Sequence, residues 1–175
     1  MNYIRLLLLI INKASNEKMY NFDNYCPNAS NNSNKSVAVN SATGGAGPLP
    51  VITTLLADPI NVVTTTIDTT GMRRTINLLN FTSVINLPLG VSVTLNFEVL
   101  RTLDDGSSIK VGPTFTYSTI VDVLEAEAFS FQYADDNVAP GNYTYSVQIS
   151  TNSILDITPG ATITNATLSI IAANK

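Results

Sequence analysis

The chain has no histidine, no tryptophan and one cysteine among 175 residues. Without histidine it lacks the commonest general base and the commonest metal ligand. No imidazole is available to activate a serine as a nucleophile. The lone cysteine, Cys26, has no partner for an intramolecular disulfide. It reads either as a free thiol or as one half of a bridge between two chains. Charge is also scarce: 13% of residues, against roughly 25% in an average globular protein. Arg73-Arg74 is the only adjacent basic pair and the net charge is −4. Nucleic acid is therefore excluded as a partner. Leu6 to Ile11 is a short apolar run behind Arg5, far below the ~20 residues of a membrane span. No Gly-x-Ser-x-Gly, P-loop or dinucleotide fingerprint occurs. These absences leave no expectation of an enzyme or a cofactor.

What the chain does have is alternation. Val91 to Leu100 reads Val-Ser-Val-Thr-Leu-Asn-Phe-Glu-Val-Leu, with every odd position apolar. Successive strand side chains point to opposite faces, so one face is buried and the other wet. Asn96 falls on the wet side of that pattern. Tyr143, Tyr145, Val147 and Ile149 repeat it, as do Phe115 and Tyr117, and Phe129, Phe131 and Tyr133. Core packing is the expected role of these aromatics. About eight strands are predicted, over 51–57, 60–68, 75–86, 91–101, 109–121, 125–134, 142–150 and 161–172. Turn chemistry separates them: Leu87 to Gly90, Asp104-Asp105-Gly106-Ser107, Ala139-Pro140-Gly141-Asn142 and Thr158-Pro159-Gly160. Pro140-Gly141 has the residue order of a type II turn. The fold class is all-β: an antiparallel, jelly-roll-like β-sandwich.

Residues 1–50 differ from the rest. Asn28 to Asn34 is nearly pure Asn and Ser, and Gly44-Gly45-Ala46-Gly47 precedes Pro48-Leu49-Pro50. Such composition buries too little apolar surface to order itself, so this segment is expected to be a flexible arm with a Gly/Pro hinge. The sandwich is expected over 51–175. Residues 1–18 read three ways: a signal peptide, a genuine part of the arm, or the product of a start placed ahead of Met19. Within the arm, Ser36-Val37-Ala38-Val39-Asn40 alternates like a strand. With no partner expected in its own chain, it would add to the sheet edge of a neighbour. Cys26, Val37 and Val39 are therefore the candidate assembly residues. Asp104, Asp105, Asp135 and Asp136 are candidates for binding loops, spanning 102–108 and 134–141. They match no calcium-loop spacing, and solvated turn carboxylates are the plainer reading. Asp122, Glu125 and Glu127 also lie close together and read as solvent-facing.

Several strand phrases carry a resemblance. They are Leu78-Leu79-Asn80-Phe81-Thr82-Ser83, Val93 to Arg101, Leu124 to Gln132, Tyr143 to Val147, and Thr164 to Ser169. Together, over about residues 48 to 173, they resemble a family of domains of unknown function common in spore-forming Clostridia and relatives. Members of that family often carry cysteines near strand ends; this chain has none there. The layout of arm, Gly hinge and sandwich is also similar to that of endospore appendage subunits. The resemblance implies a structural protein that self-assembles on a spore or cell surface as a homo-oligomer or fibre, with further spore-surface proteins or glycans as possible partners. A lectin-like adhesin or other binding module is the alternative.

Overall fold

The structure is a computed structural model that describes residues 36–49, 59–88, 92–120, 125–151 and 160–175. From Asn34 onward the chain is one compact unit. The described residues form eight strands and no helix: β1 (Val37–Ala46), β2 (Ile60–Asp68), β3 (Thr75–Leu87), β4 (Ser92–Leu103), β5 (Ser108–Ile120), β6 (Glu125–Val138), β7 (Asn142–Ser150) and β8 (Thr162–Asn174). Seven of them coincide with predicted strands to within a few residues. The strand expected over 51–57 lies outside the described residues, as does Cys26.

The strands make two four-stranded antiparallel sheets, ordered β1-β8-β3-β6 (sheet A) and β2-β7-β4-β5 (sheet B). Only β4 and β5 are consecutive strands within one sheet. This is the order of an eight-stranded jelly roll.

Alternation places the core. Val93, Leu95, Phe97 and Val99 of β4 are fully buried, as are Leu79, Phe81 and Ile85 of β3 and Tyr145, Val147 and Ile149 of β7. Burying a side chain of this size contributes ~1.5–3 kcal/mol. Aromatic rings bridge the two sheets. Phe81 lies 5.6 Å from Phe97, and Phe97 lies 4.5 Å from Phe129. Phe131 stacks on Phe81 at 4.9 Å and on Phe115 at 4.0 Å. The tilted Phe81–Phe97 pair and the stacked pairs at 4.5 and 4.9 Å fall in the favoured range of separations.

Two sequence expectations need correction here. Residues 37–46, read as arm and hinge, are β1, an integral edge strand paired with β8 from Val37↔Ala173 to Ala46↔Ile163. The sandwich thus begins at Val37, ahead of residue 51. The glycines serve close packing here. A Cβ on Gly44 would stand 2.2 Å from the Val62 carbonyl oxygen of β2, and only glycine permits such an approach. Second, Gly141 lacks the positive φ of a type II turn. Its backbone is tied to Thr69 instead: its carbonyl accepts from the Thr69 amide at 2.8 Å and hydroxyl at 2.9 Å, and its amide donates to that hydroxyl at 3.1 Å.

Asn96 is a third departure. It is only 6% exposed and accepts a hydrogen bond from the Thr116 hydroxyl at 2.9 Å. The β5 register shifts here: Phe97 pairs with Phe115 while Val99 pairs with Val111. The extra residues of that bulge, with Gly112 at φ 77°, lie alongside the position after Phe97.

Candidate assembly face

One end of the outer face of sheet A is apolar. The large hydrophobics most exposed there are Val39 (67%), Val37 (51%), Ile171 (45%), Leu78 (41%) and Ile76 (37%). Strand register brings them together. Val39 pairs with Ile171, Ile171 with Leu78, and Leu78 with the exposed Ala134, making one apolar row across all four strands. Val37, Ala173 and Ile76 form the next row. Scattered exposed apolar side chains are ordinary, but a contiguous patch marks an interaction surface. Further along the same face the rows turn polar: Ser41–Ser169–Asn80–Gln132, then Thr43–Thr167–Thr82–Ser130.

The patch continues over β1 to a shallow depression of about 420 Å³ between β1 and β2, lined by Val37, Val39, Asn40, Thr66 and Asp68 among others. Asn40 Nδ2 donates to the Thr66 carbonyl at 2.7 Å and fastens this margin. The opposite margin holds the exposed pair Lys175–Asp136 at 2.6 Å. An exposed pair like this adds only ~0–1 kcal/mol of stability.

Val37 and Val39 thus lie in the patch, although not on a free arm. The acidic candidates scatter. Asp104 and Asp105 sit in the β4–β5 turn, where Gly106 donates to the Leu103 carbonyl at 2.9 Å. The Asp105 carboxylate accepts from the Ser107 hydroxyl at 2.6 Å and amide at 2.8 Å, which hold its pKa below the usual value. This turn and the β6–β7 turn do come together: Asp104, Asp105, Pro140 and Tyr143 border a depression of about 240 Å³. Asp135 and Asp136 take no part in it, because β6 continues to Val138 where a loop was expected. Among the described residues no group of three or more His, Cys, Asp or Glu could hold a metal ion. No helix among them is long and apolar enough to cross a membrane.

Asp135 is the chief surprise. It is buried between the sheets, where Oδ2 is 2.5 Å from Arg101 Nη1 and accepts from the Tyr145 hydroxyl at 2.7 Å. Asn77 Nδ2 donates to that hydroxyl at 2.8 Å, and the Thr75 hydroxyl donates to Asn77 Oδ1 at 2.8 Å. The network links β3 and β6 of sheet A to β4 and β7 of sheet B. The missed signal was the alternation itself: Arg101 is in phase with Phe97 and Val99, and Asp135 with Phe131 and Tyr133. The same phase turns Glu127 inward, where it accepts from the Tyr117 hydroxyl at 2.6 Å.

Burial raises the pKa of the Tyr145 hydroxyl well above the ordinary tyrosine value, more than the Asn77 bond lowers it. The folded state therefore holds a proton that the unfolded chain releases near pH 10. Its contribution to stability is complete below about pH 10 and is lost as pH rises beyond it. Thermal melts between about pH 9 and 11 should show Tm falling more steeply in wild type than in Tyr145→Phe. Parallel slopes would refute this assignment.

Residues 35–173 match the family described as Domain of unknown function (DUF4489). No curated protein matches the sequence. Among solved structures, the Gt strain of infectious bursal disease virus matches with a TM-score of 0.50 and 10% identity, over 76% of this chain and 32% of that one. The Gx strain matches at 0.49 and 9% identity, over 77% and 32%. The chain thus spans about a third of the length of these structural relatives. At this identity the likeness concerns the fold.

Proposed function

Since the chain belongs to the DUF4489 family, whose function is open, we propose that it is a structural, non-enzymatic protein that self-associates on a spore or cell surface. The observation carrying this reading is the apolar patch of sheet A, where Val37, Val39, Ile76, Leu78 and Ile171 share one end of an exposed face. The polar rows of that face, among the described residues, are neutral hydroxyl and amide side chains. A standard interface takes about 800 Å² from each partner, so the Ser, Thr and Asn side chains of β1, β8 and β3 must join the apolar rows in contact. The low charge favours this, because like copies repel weakly. The spore or cell-surface setting, and the fibre form, rest on the sequence resemblance. Jelly rolls build viral capsid and lectin domains alike, so the fold supports an assembling role without selecting it.

The depression bordered by Asp104, Asp105, Pro140 and Tyr143 favours the second reading, a glycan-binding adhesin. Size measurements separate the two. Val37→Asp with Val39→Asp places two carboxylates in the patch, where unpaired burial on association is costly. Both positions are exposed in the single chain, so the variant should melt like wild type. Light scattering should show large assemblies for wild type and their loss in the variant. A wild type that stays monomeric at high concentration, or a variant that assembles unchanged, would overturn the reading and leave the adhesin ahead.

A further inference from the structure

Among the described residues the sandwich has four edge strands, and three are closed to pairing. The β1 and β2 edges lie against each other, through Asn40 Nδ2 on the Thr66 carbonyl and the contact of Gly44 with Val62. The β5 edge is broken by its bulge, with Gly112 at φ 77° followed by Pro113; prolines and bulges are standard protections of an edge. The fourth edge, β6, has neither. It ends sheet A, so among the described residues one side of its backbone has no strand beside it in that sheet. Ala128-Phe129-Ser130-Phe131-Gln132-Tyr133-Ala134 contains no charge, proline or glycine. Across from it, β5 makes contact through side chains: Phe115 on Phe131, and Tyr117 on Glu127.

We propose that this stretch of β6 pairs with the same stretch of a second copy, antiparallel, joining two A sheets into one of eight strands. The inference rests on the self-association reading above and adds a second interface to it. A self-paired edge is its own complement, as a two-fold contact requires. Main-chain hydrogen bonds supply the attraction, and no like charges meet within the stretch. The flanking carboxylates of Glu127 and Asp135 face inward and are bound to Tyr117 and Arg101. The apolar row reaches β6 at Ala134, so the new interface is continuous with the patch. A two-fold axis through the pair puts one apolar patch at each end of the joined face. A two-fold patch contact, added to this two-fold edge contact, carries growth past the dimer and gives a linear polymer where the two axes do not intersect.

Sedimentation velocity on the full chain tests this with three variants. Ser130→Lys with Gln132→Lys charges the exposed edge; Val37→Asp with Val39→Asp charges the patch; the third combines all four. Wild type should form a broad series of polymers, each double variant should stop at dimers, and the combined variant should be monomeric. Monomers from the patch variant, or wild-type polymers from the edge variant, would overturn the edge pairing alone. A wild type that never leaves the monomer would overturn the self-association reading as well. Hydrogen exchange on the unmodified chain covers the case of a variant that fails to fold. Pairing should slow every amide from Ala128 to Ala134, whereas a free edge leaves alternate amides fast.

Discussion

Phe97→Ala should be among the most damaging single changes in this domain, lowering stability by ~3–5 kcal/mol in urea melts. Phe97 is fully buried at the middle of β4 and touches rings from both β3 and β6. Its removal therefore opens a hole between the sheets that neither sheet can close alone. The neighbouring change, Asn96→Ala, should cost about 1 kcal/mol, the net worth of one hydrogen bond. Thr116, the donor that would be left, is exposed and can turn to water. The two midpoints should be well separated. Coincident midpoints would mean that the aromatic contacts add nothing to the packing of the sheets.

Asp135→Ala should be of similar severity. It leaves the half-buried Arg101 guanidinium without its counter-charge, and breaking a fully buried pair from one side costs ~3–5 kcal/mol, the upper bound for this pair. Tyr145 loses its acceptor in the same step. Asp135→Asn keeps an oxygen in place and should cost less. Changing both partners, Asp135→Leu with Arg101→Met, should recover part of the loss, because well-packed apolar groups often match a buried pair. Denaturant melts of the three variants decide it. If the double apolar variant is no better than Asp135→Ala, the stranded charge is not the source of the damage.

Most of the strands were legible in the sequence because alternation is a strong signal when one face is buried. Val93 to Val99 and Tyr143 to Ile149 show this in full. Two things were hidden. Counting residue types obscured β1, because an Asn-, Ser- and Gly-rich segment reads as unstructured until β8 and β2 are seen to need small residues beside them. Charge obscured the interior network: Asp135 reads as a solvated turn carboxylate because lone charges are rarely buried, although both it and Arg101 continue a buried phase. A cation and a carboxylate that are each in phase with a core, on strands that the fold sets face to face, are candidates for a buried pair. The assembly residues were half legible. Val37 and Val39 were selected for their alternation, but the rows they join with Ile171, Leu78 and Ile76 exist only once β8 and β3 lie beside them.

The strand order also bears on how the domain comes into being. In each sheet a strand made late in the chain separates two made early: β8 stands between β1 and β3, and β7 between β2 and β4. A ribosome that has delivered residues through β6 has made β1 and β2 but supplied no in-sheet neighbour for either. Sheet B is not continuous until β7, residues 142–150, has been added, and sheet A not until β8, residues 162–174. Since domains generally fold as units during synthesis, this one must wait for its final strands, and pairings of such long sequence separation close slowly. During that wait the Phe and Tyr rows of β3 to β6 have no complete second sheet to cover them. A nascent chain of this kind is most exposed to aggregation in the interval just before its last two strands emerge.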